Sequence, residues 1–238
     1  MRKSNAGIGL IELMVAMVLG LVVTLGVIQI FLSAKNTYQS QNSAAVMQED
    51  ARYFLSRITQ EIRMTGMFGC LLAKTDQSTG LSFTTAASNP ITYTNTSAGG
   101  KVLTLITADI GSANVVPDWT ILTDCATTTT VISGAPATST ALMKFPVRRA
   151  TYTYLNGTLY SGIGANRQAL VNNVSDFGIT FGIESGTSRE IGLYTAAPTA
   201  AQNILSVRLS LTLTDAQVPK RVRDQTYNVV ATIRNKVN

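Results

Sequence analysis

Residues 1–31 read Met1-Arg-Lys-Ser-Asn-Ala-Gly7-Ile8-Gly-Leu-Ile-Glu12-Leu-Met-Val-Ala-Met-Val-Leu-Gly20-Leu-Val-Val-Thr24-Leu-Gly26-Val-Ile-Gln-Ile-Phe31. A short basic leader carrying Arg2 and Lys3 ends at Gly7, and from Ile8 to Phe31 run 24 residues whose one charge is Glu12. Coiled as a helix, this segment is about 36 Å long, which covers a hydrocarbon core of about 30 Å with some tilt. A secretory signal peptide has a shorter apolar region and a small-x-small cleavage site after it. Here the chain continues as Leu32-Ser-Ala-Lys-Asn-Thr-Tyr38. Basic residues ahead of the span place the N-terminus in the cytoplasm and the rest of the chain on the far side.

Glu12 is the informative residue of the span. A carboxylate at membrane depth costs about 2.5–3.5 kcal/mol on insertion scales, so it needs a use or an escape. The escape is snorkelling to the interface from a position close to the helix end. The use is a positive partner at the same depth, because a buried charge is tolerated when it is paired.

The stretch Gly7-Ile-Gly-Leu-Ile-Glu12-Leu-Met-Val resembles the class III signal of type IV pilins and type II secretion pseudopilins. In those families a prepilin peptidase cuts after a glycine and methylates the new amine, and the motif's glutamate is the fifth residue after the cut. The resemblance places the cut between Gly7 and Ile8. It also gives Glu12 its partner, the N-terminal amine of a neighbouring subunit, so that Glu12 sets the register of a filament. Two features depart from the commonest pattern: Ile8 stands where phenylalanine is usual, and no proline interrupts the helix before Pro90. Only Gly20, Thr24 and Gly26 remain to soften the span.

Composition sets the class of the remainder. Loss of the leader removes Arg2 and Lys3 and leaves 17 basic and 13 acidic residues, a net charge of +4. Charged residues are 13% of the chain, and Thr, Ser, Ala, Gly and Asn dominate the exported part, as suits a polar but sparsely charged β-domain. The chain has no histidine, which removes histidine-based acid–base sites and histidine-ligated zinc. Cys70 and Cys125 both fall in the exported part, where an oxidising compartment favours a disulfide; two unpaired buried thiols are the alternative.

The helix is expected to continue past the membrane. Met47, Ala51, Phe54 with Leu55, Ile58 and Ile62 recur at steps of three and four, with Glu49, Arg52, Arg57, Gln60, Glu61 and Arg63 around the rest. Arg57 and Glu61 are spaced for an ion pair along the helix surface, and Gly66 is a candidate C-cap. One helix is therefore expected from about Ile8 to Thr65, a transmembrane part to residue 31 and an exported amphipathic part over residues 32–65. Beyond it, residues 66–238 read as a β-rich domain. Strands are expected at Val102–Thr107, Ala141–Val147, Ala150–Leu155, Phe177–Ile183, Ile204–Thr212 and Tyr227–Arg234, with a hairpin turn at Asn156-Gly157. Ser97–Gly100 and Ala126–Thr130 read as loops. The fold class is α+β: a long N-terminal helix packed on an antiparallel sheet, pilin-like.

Within the pilin superfamily, Gln48-Glu-Asp-Ala-Arg-Tyr-Phe-Leu-Ser-Arg-Ile-Thr-Gln-Glu-Ile-Arg-Met-Thr-Gly66-Met-Phe-Gly69-Cys70 resembles the PilW type of minor pilin. The terminal segments Leu205–Leu211 and Val229–Asn235 look similar to that family as well, while residues 71–200 match it loosely. The resemblance implies a structural subunit that initiates and assembles a type IV pilus at or near its tip. The partners implied are other minor pilins, the major pilin, a tip-associated adhesin, the assembly platform of the inner membrane and the prepilin peptidase. The alternative is a J-type minor pseudopilin of type II secretion, which shares the signal and the helix.

Other classes are weaker. Lys144, Arg148 and Arg149, then Lys220, Arg221 and Arg223, are short basic clusters that can hold nucleic-acid phosphates, but few aromatics accompany them; solvated strand ends are the plainer reading. Asp109, Asp118 and Asp124 can ligate calcium one by one, yet their spacing is not that of an EF-hand. No Gly-x-Ser-x-Gly elbow or phosphate-binding loop is present, so no enzyme, cofactor or metal is expected.

Overall fold

Helix α1 (Leu10–Met64) is unbroken over 55 residues and leads into twelve strands and one short second helix. The computed structural model describes residues 9–71, 74–96, 99–109, 116–137, 142–162, 166–185, 190–199, 202–215 and 222–234. By its internal contacts the chain divides into two units, Met1–Val46 with Asp215–Arg223, and Met47–Thr214 with Asp224–Asn238. Each is described by itself.

In the first unit, α1 presents its apolar surface outward. Residues 9–38 are all exposed, and Leu10, Ile11 and Ile30 are each more than 70% exposed. The β-branched residues here, Val15, Val18, Val22, Val23 and Val27, are modest helix formers in water; lipid reverses the balance by requiring every backbone group to bond within its own segment. Gly20, Thr24 and Gly26, the residues able to soften the span, leave the helix continuous. The Thr24 hydroxyl donates to the Gly20 carbonyl at 2.7 Å, and a Cβ at either glycine would meet open space.

In the second unit, the rest of α1 buries Met47, Ala51, Phe54, Ile58 and Ile62 of the expected stripe, while Leu55 is half-buried. Glu61 is buried with them, 4% exposed, contrary to its placement on the polar face. The reason lies in the spacing. The steps 47, 51, 54, 58, 61, 65 alternate four and three, so Glu61 and the fully buried Thr65 occupy core positions of the same seam. The Gly66 C-cap is present, with φ +77 and its N–H donating to the Ile106 carbonyl at 3.1 Å.

The strands form two sheets. The first holds β1 (Lys74–Asp76), β2 (Ile91–Asn95), β3 (Lys101–Ala108), β4 (Trp119–Thr123), β5 (Thr129–Ser133), β6 (Met143–Leu155), β7 (Thr158–Ser161) and β8 (Gln168–Val171). Its order is β1-β5-β4-β6-β3-β2, with β7 bridging β6 and β8. The second, in the order β10-β9-β11-β12, holds β9 (Val174–Glu184), β10 (Ile191–Thr195), β11 (Ile204–Leu213) and β12 (Gln225–Thr232). All pairs are antiparallel except β1 with β5, which is parallel, so the first sheet is mixed.

Several expected boundaries change. Residues 143–147 of the expected Ala141–Val147 strand and Ala150–Leu155 are one strand, β6, because Arg148 and Arg149 continue the ladder opposite Thr107 and Ile106 of β3; Ala141 lies outside the described residues. Thr129 and Thr130, expected in a loop, open β5. Strands β1, β2, β4, β5, β8 and β10 and helix α2 (Ser82–Ser88) had not been expected. The Asn156-Gly157 turn joins β6 to β7 with φ +48 and +76, the left-handed pair that a tight hairpin needs.

Phe54 of α1 sits at the centre of the core. Its ring packs edge-on against Tyr152 of β6 and against Phe177 of β9, at 5.8 Å in both cases, so one side chain ties the helix to both sheets. A second cluster joins α2 to the first sheet through Phe83, Ile106, Trp119, Ile121, Val131 and Val147.

Candidate assembly site

Two regions of α1 stand out: the first carries the groups expected to serve assembly, and the second a buried ion pair that had not been expected. The first is the apolar helix with Glu12. Glu12 lies in the first turn of α1, where a carboxylate also meets the positive end of the helix dipole. Leu13 N–H donates to the Gly9 carbonyl, so the helical hydrogen-bond pattern reaches back to Gly9. Gly7 and Ile8, the expected processing residues, lie outside the described residues. The helix is long and apolar enough to cross a membrane, and none of its most apolar stretch is buried within the protein.

The second region is where the C-terminal part of α1 meets the first sheet. The Arg148 guanidinium donates to Glu61 Oε1 at 2.8 Å, and Arg57 Nε approaches the same oxygen at 3.7 Å. Arg148 Nε is buried without a hydrogen-bond partner among the described residues, and the Tyr152 hydroxyl is buried beside the Glu61 carboxylate and the Arg57 guanidinium. Burial, and after it the Glu61 charge, push the Tyr152 hydroxyl up, which keeps it neutral at any physiological pH. The arrangement balances one buried carboxylate against two guanidinium groups. It also depends on the register of β6 against β3, because a slip of one residue between these strands would turn Arg148 to the opposite face, away from Glu61.

The segment after α1 shows why its glycines stand where they do. Gly69 has φ +71, and a Cβ there would lie 2.8 Å from the Phe145 ring, so the position admits only glycine. Phe68 turns inward onto Phe83 at 5.3 Å. Cys70 is joined to Cys125, with Cα atoms 5.1 Å apart, which clips the end of the helix segment to the β4–β5 turn. Asp124 organises that turn: its carboxylate accepts the Thr127 hydroxyl and the N–H groups of Ala126, Thr127 and Thr128. The Thr127 hydroxyl, then these N–H groups, hold the Asp124 carboxyl well below the usual carboxylate range.

The remaining candidates are dispersed. Asp118 accepts the Arg149 N–H at 2.7 Å, and Asp124 is taken up by its own turn. Asp109, Asp118 and Asp124 are not drawn together; among the described residues no three His, Cys, Asp or Glu side chains form a group able to hold a metal ion. The basic cluster on β6 is also divided. Arg148 faces α1, while Arg149 points to the other face, with its guanidinium 5.2 Å from the Trp119 ring. Lys144 shares the parity of Arg148, and so lies on the opposite face from Arg149. Lys220 and Arg221 fall outside the described residues, and Arg223 is exposed. The buried role of Arg148 was missed in the sequence. The signal that would have found it was Glu61 on the heptad seam, which demands a cation on whatever strand faces it.

A family model, the prokaryotic N-terminal methylation motif, matches residues 2–28. No curated protein and no solved structure matches the chain. The motif supports a type IV pilin or pseudopilin, a class of structural subunits processed by prepilin peptidase and assembled with other pilins in a membrane. The motif and the exposed apolar helix together fit a membrane-anchored protein.

Proposed function

We propose that this chain is a minor pilin of the PilW type, which helps to initiate a type IV pilus and is incorporated at or near the tip. The observation that carries the reading is Glu12: a lone carboxylate in the exposed apolar part of α1, within the residues matched by the methylation motif and at the spacing from Gly7 found in the pilin signal that this segment resembles. Cleavage between Gly7 and Ile8 frees an amine whose positive charge offsets the Glu12 carboxylate of a neighbouring subunit inside lipid. Each incoming helix then gains most when its first residue lies level with its neighbour's Glu12, and register follows. Before assembly the chain sits in the inner membrane with its N-terminus cytoplasmic and residues 66–238 in the periplasm. Its partners are other minor pilins, the major pilin, a tip-associated adhesin and the assembly platform.

The Gly66, Gly69 and Cys70 constraints support the pilus reading over the J-type pseudopilin, because they give a physical reason for the helix-end motif on which the finer resemblance rests. Mass spectrometry of the chain coexpressed with a prepilin peptidase tests the first step. The expected product begins at N-methylated Ile8, and Gly7→Ala abolishes it. A product retaining Met1–Gly7 would contradict the proposal.

A further inference from the structure

The second unit contains a cleft of about 490 Å³ between strand β2 and residues 196–199 and 202–204, which lie between β10 and β11 or open β11. Every residue lining it is uncharged. All five residues of β2 take part in order, Ile91 through Asn95. Side chains of a strand alternate between faces, so an unbroken run of lining residues means that the cleft borders the strand's edge and not one of its faces.

Among the described residues that edge has no strand partner: β2 ends the strand order of its sheet and pairs with β3 alone. The Pro90 carbonyl accepts from Ile106 N–H at 2.8 Å, and Thr96 N–H donates to the Gly100 carbonyl at 2.7 Å. The even-numbered residues between them therefore bond inward to β3, and Ile91, Tyr93 and Asn95 turn their N–H and C=O groups into the cleft. These three sites repeat every two residues, about 6.8 Å, which is the repeat of an extended peptide. Natural edges are usually blunted by charge, proline or a bulge. β10 carries a register shift between Ile191 and Leu193, and β1 has three residues, including Lys74 and Asp76. Within Ile91–Asn95, β2 carries no charge, proline or register shift, and Pro90 directly precedes it. β8 and β12 also lack charge, and what singles out β2 is the walled cleft along its edge.

The floor of the cleft adds the chemistry of the partner. Ile91 is buried, Tyr93 packs on Phe181 at 5.9 Å, and Ile204 and Ile233 complete an apolar surface. A strand lying along β2 would direct alternate side chains onto this floor, where a charge would lose its water and find no counter-ion. We propose that the cleft binds an extended, uncharged peptide segment of another protein chain by strand addition to β2, with apolar side chains at alternate positions. The inference rests on β2 and its cleft and is independent of the filament reading.

The test is selection of a random nonapeptide phage library on the full chain in dodecyl maltoside micelles. Enriched sequences are expected to lack Asp, Glu, Lys and Arg and to alternate apolar with small polar residues. A synthetic peptide of the leading sequence should slow amide exchange at Tyr93 and Asn95. Asn95→Pro removes an outward N–H at a strand end, where proline is tolerated, and should weaken binding by about tenfold or more. Thr199→Glu leaves β2 intact, places a charge in the opposite wall and should have the same effect. Charged consensus sequences, binding that survives both variants, or no enrichment over empty micelles would overturn the proposal. So would maltotriose occupying the cleft where peptides do not, which would reassign it to a saccharide.

Discussion

Arg148 of β6 reaches across to Glu61 of α1, Nη2 to Oε1, at 2.8 Å, and so joins the core of the sheet to the one carboxylate buried in the helix seam. Removing one partner of such a pair leaves a charge stranded, whereas replacing both with apolar residues is often neutral or stabilising. Arg148→Ala is therefore expected to destabilise the second unit by about 3–5 kcal/mol, softened where Arg57 takes over part of the role. The double variant Glu61→Leu with Arg148→Met should recover most of that loss. Urea denaturation of the chain in micelles, followed by the fluorescence of its single tryptophan, Trp119, measures both.

Gly69 and Gly80 separate two costs of adding a Cβ. Both have positive φ, +71 and +65, but a Cβ at Gly80 would meet nothing within 4 Å, while at Gly69 it would strike the Phe145 ring. Gly80→Ala should cost about 1–2 kcal/mol for the left-handed backbone alone. Gly69→Ala should cost more, since the ring must move as well. Equal losses in the same denaturation assay would mean that Phe145 yields freely.

Asp76 supplies an acid-dependent part of the stability. Its carboxylate accepts the N–H and hydroxyl groups of both Ser78 and Thr84. Burial pushes its carboxyl up, but these four hydrogen bonds, led by the Ser78 hydroxyl, outweigh it and bring the value down to about 2. A carboxyl lowered on folding stabilises the fold above its unfolded value of about 3.9, and that contribution is lost as pH falls through about 2. Asp76→Asn should lower stability at pH 7 by about 1 kcal/mol, allowing for solvent screening, and should flatten the fall in stability between about pH 4 and pH 2. Thermal melts of both proteins at pH 2 to 7 give the comparison.

Periodicity and turn chemistry made the main frame of this fold readable in the sequence. The stripe from Met47 to Ile62, the Gly66 stop and the Asn156-Gly157 hairpin all rest on local rules that tertiary contacts did not override. Strands such as β4, Trp-Thr-Ile-Leu-Thr, were hidden because all five residues are buried and no alternation is left to read. β5 was hidden behind a threonine run that looked like a loop, although threonine is a good strand former once its hydroxyls are bonded, as Thr123 and Thr129 bond each other at 3.0 Å. The division into two sheets and the pairing of Glu61 with Arg148 depend on contacts 87 residues apart, which no local pattern encodes. At the assembly site, Glu12 was legible because a charge stands out in an apolar run. The β2 cleft was not, since it is made of uncharged residues brought together only by the fold.

The most direct test of the account is piliation. In a strain deleted for the gene, surface pili are counted after complementation with wild type, Glu12→Ala and Gly7→Ala. The account predicts that pili are lost on deletion and restored by wild type alone. Normal pili in the deletion strain, with failed secretion of exoproteins, would contradict it and assign the chain to a secretion pseudopilus. Full rescue by Glu12→Ala would remove the carboxylate from its role in register.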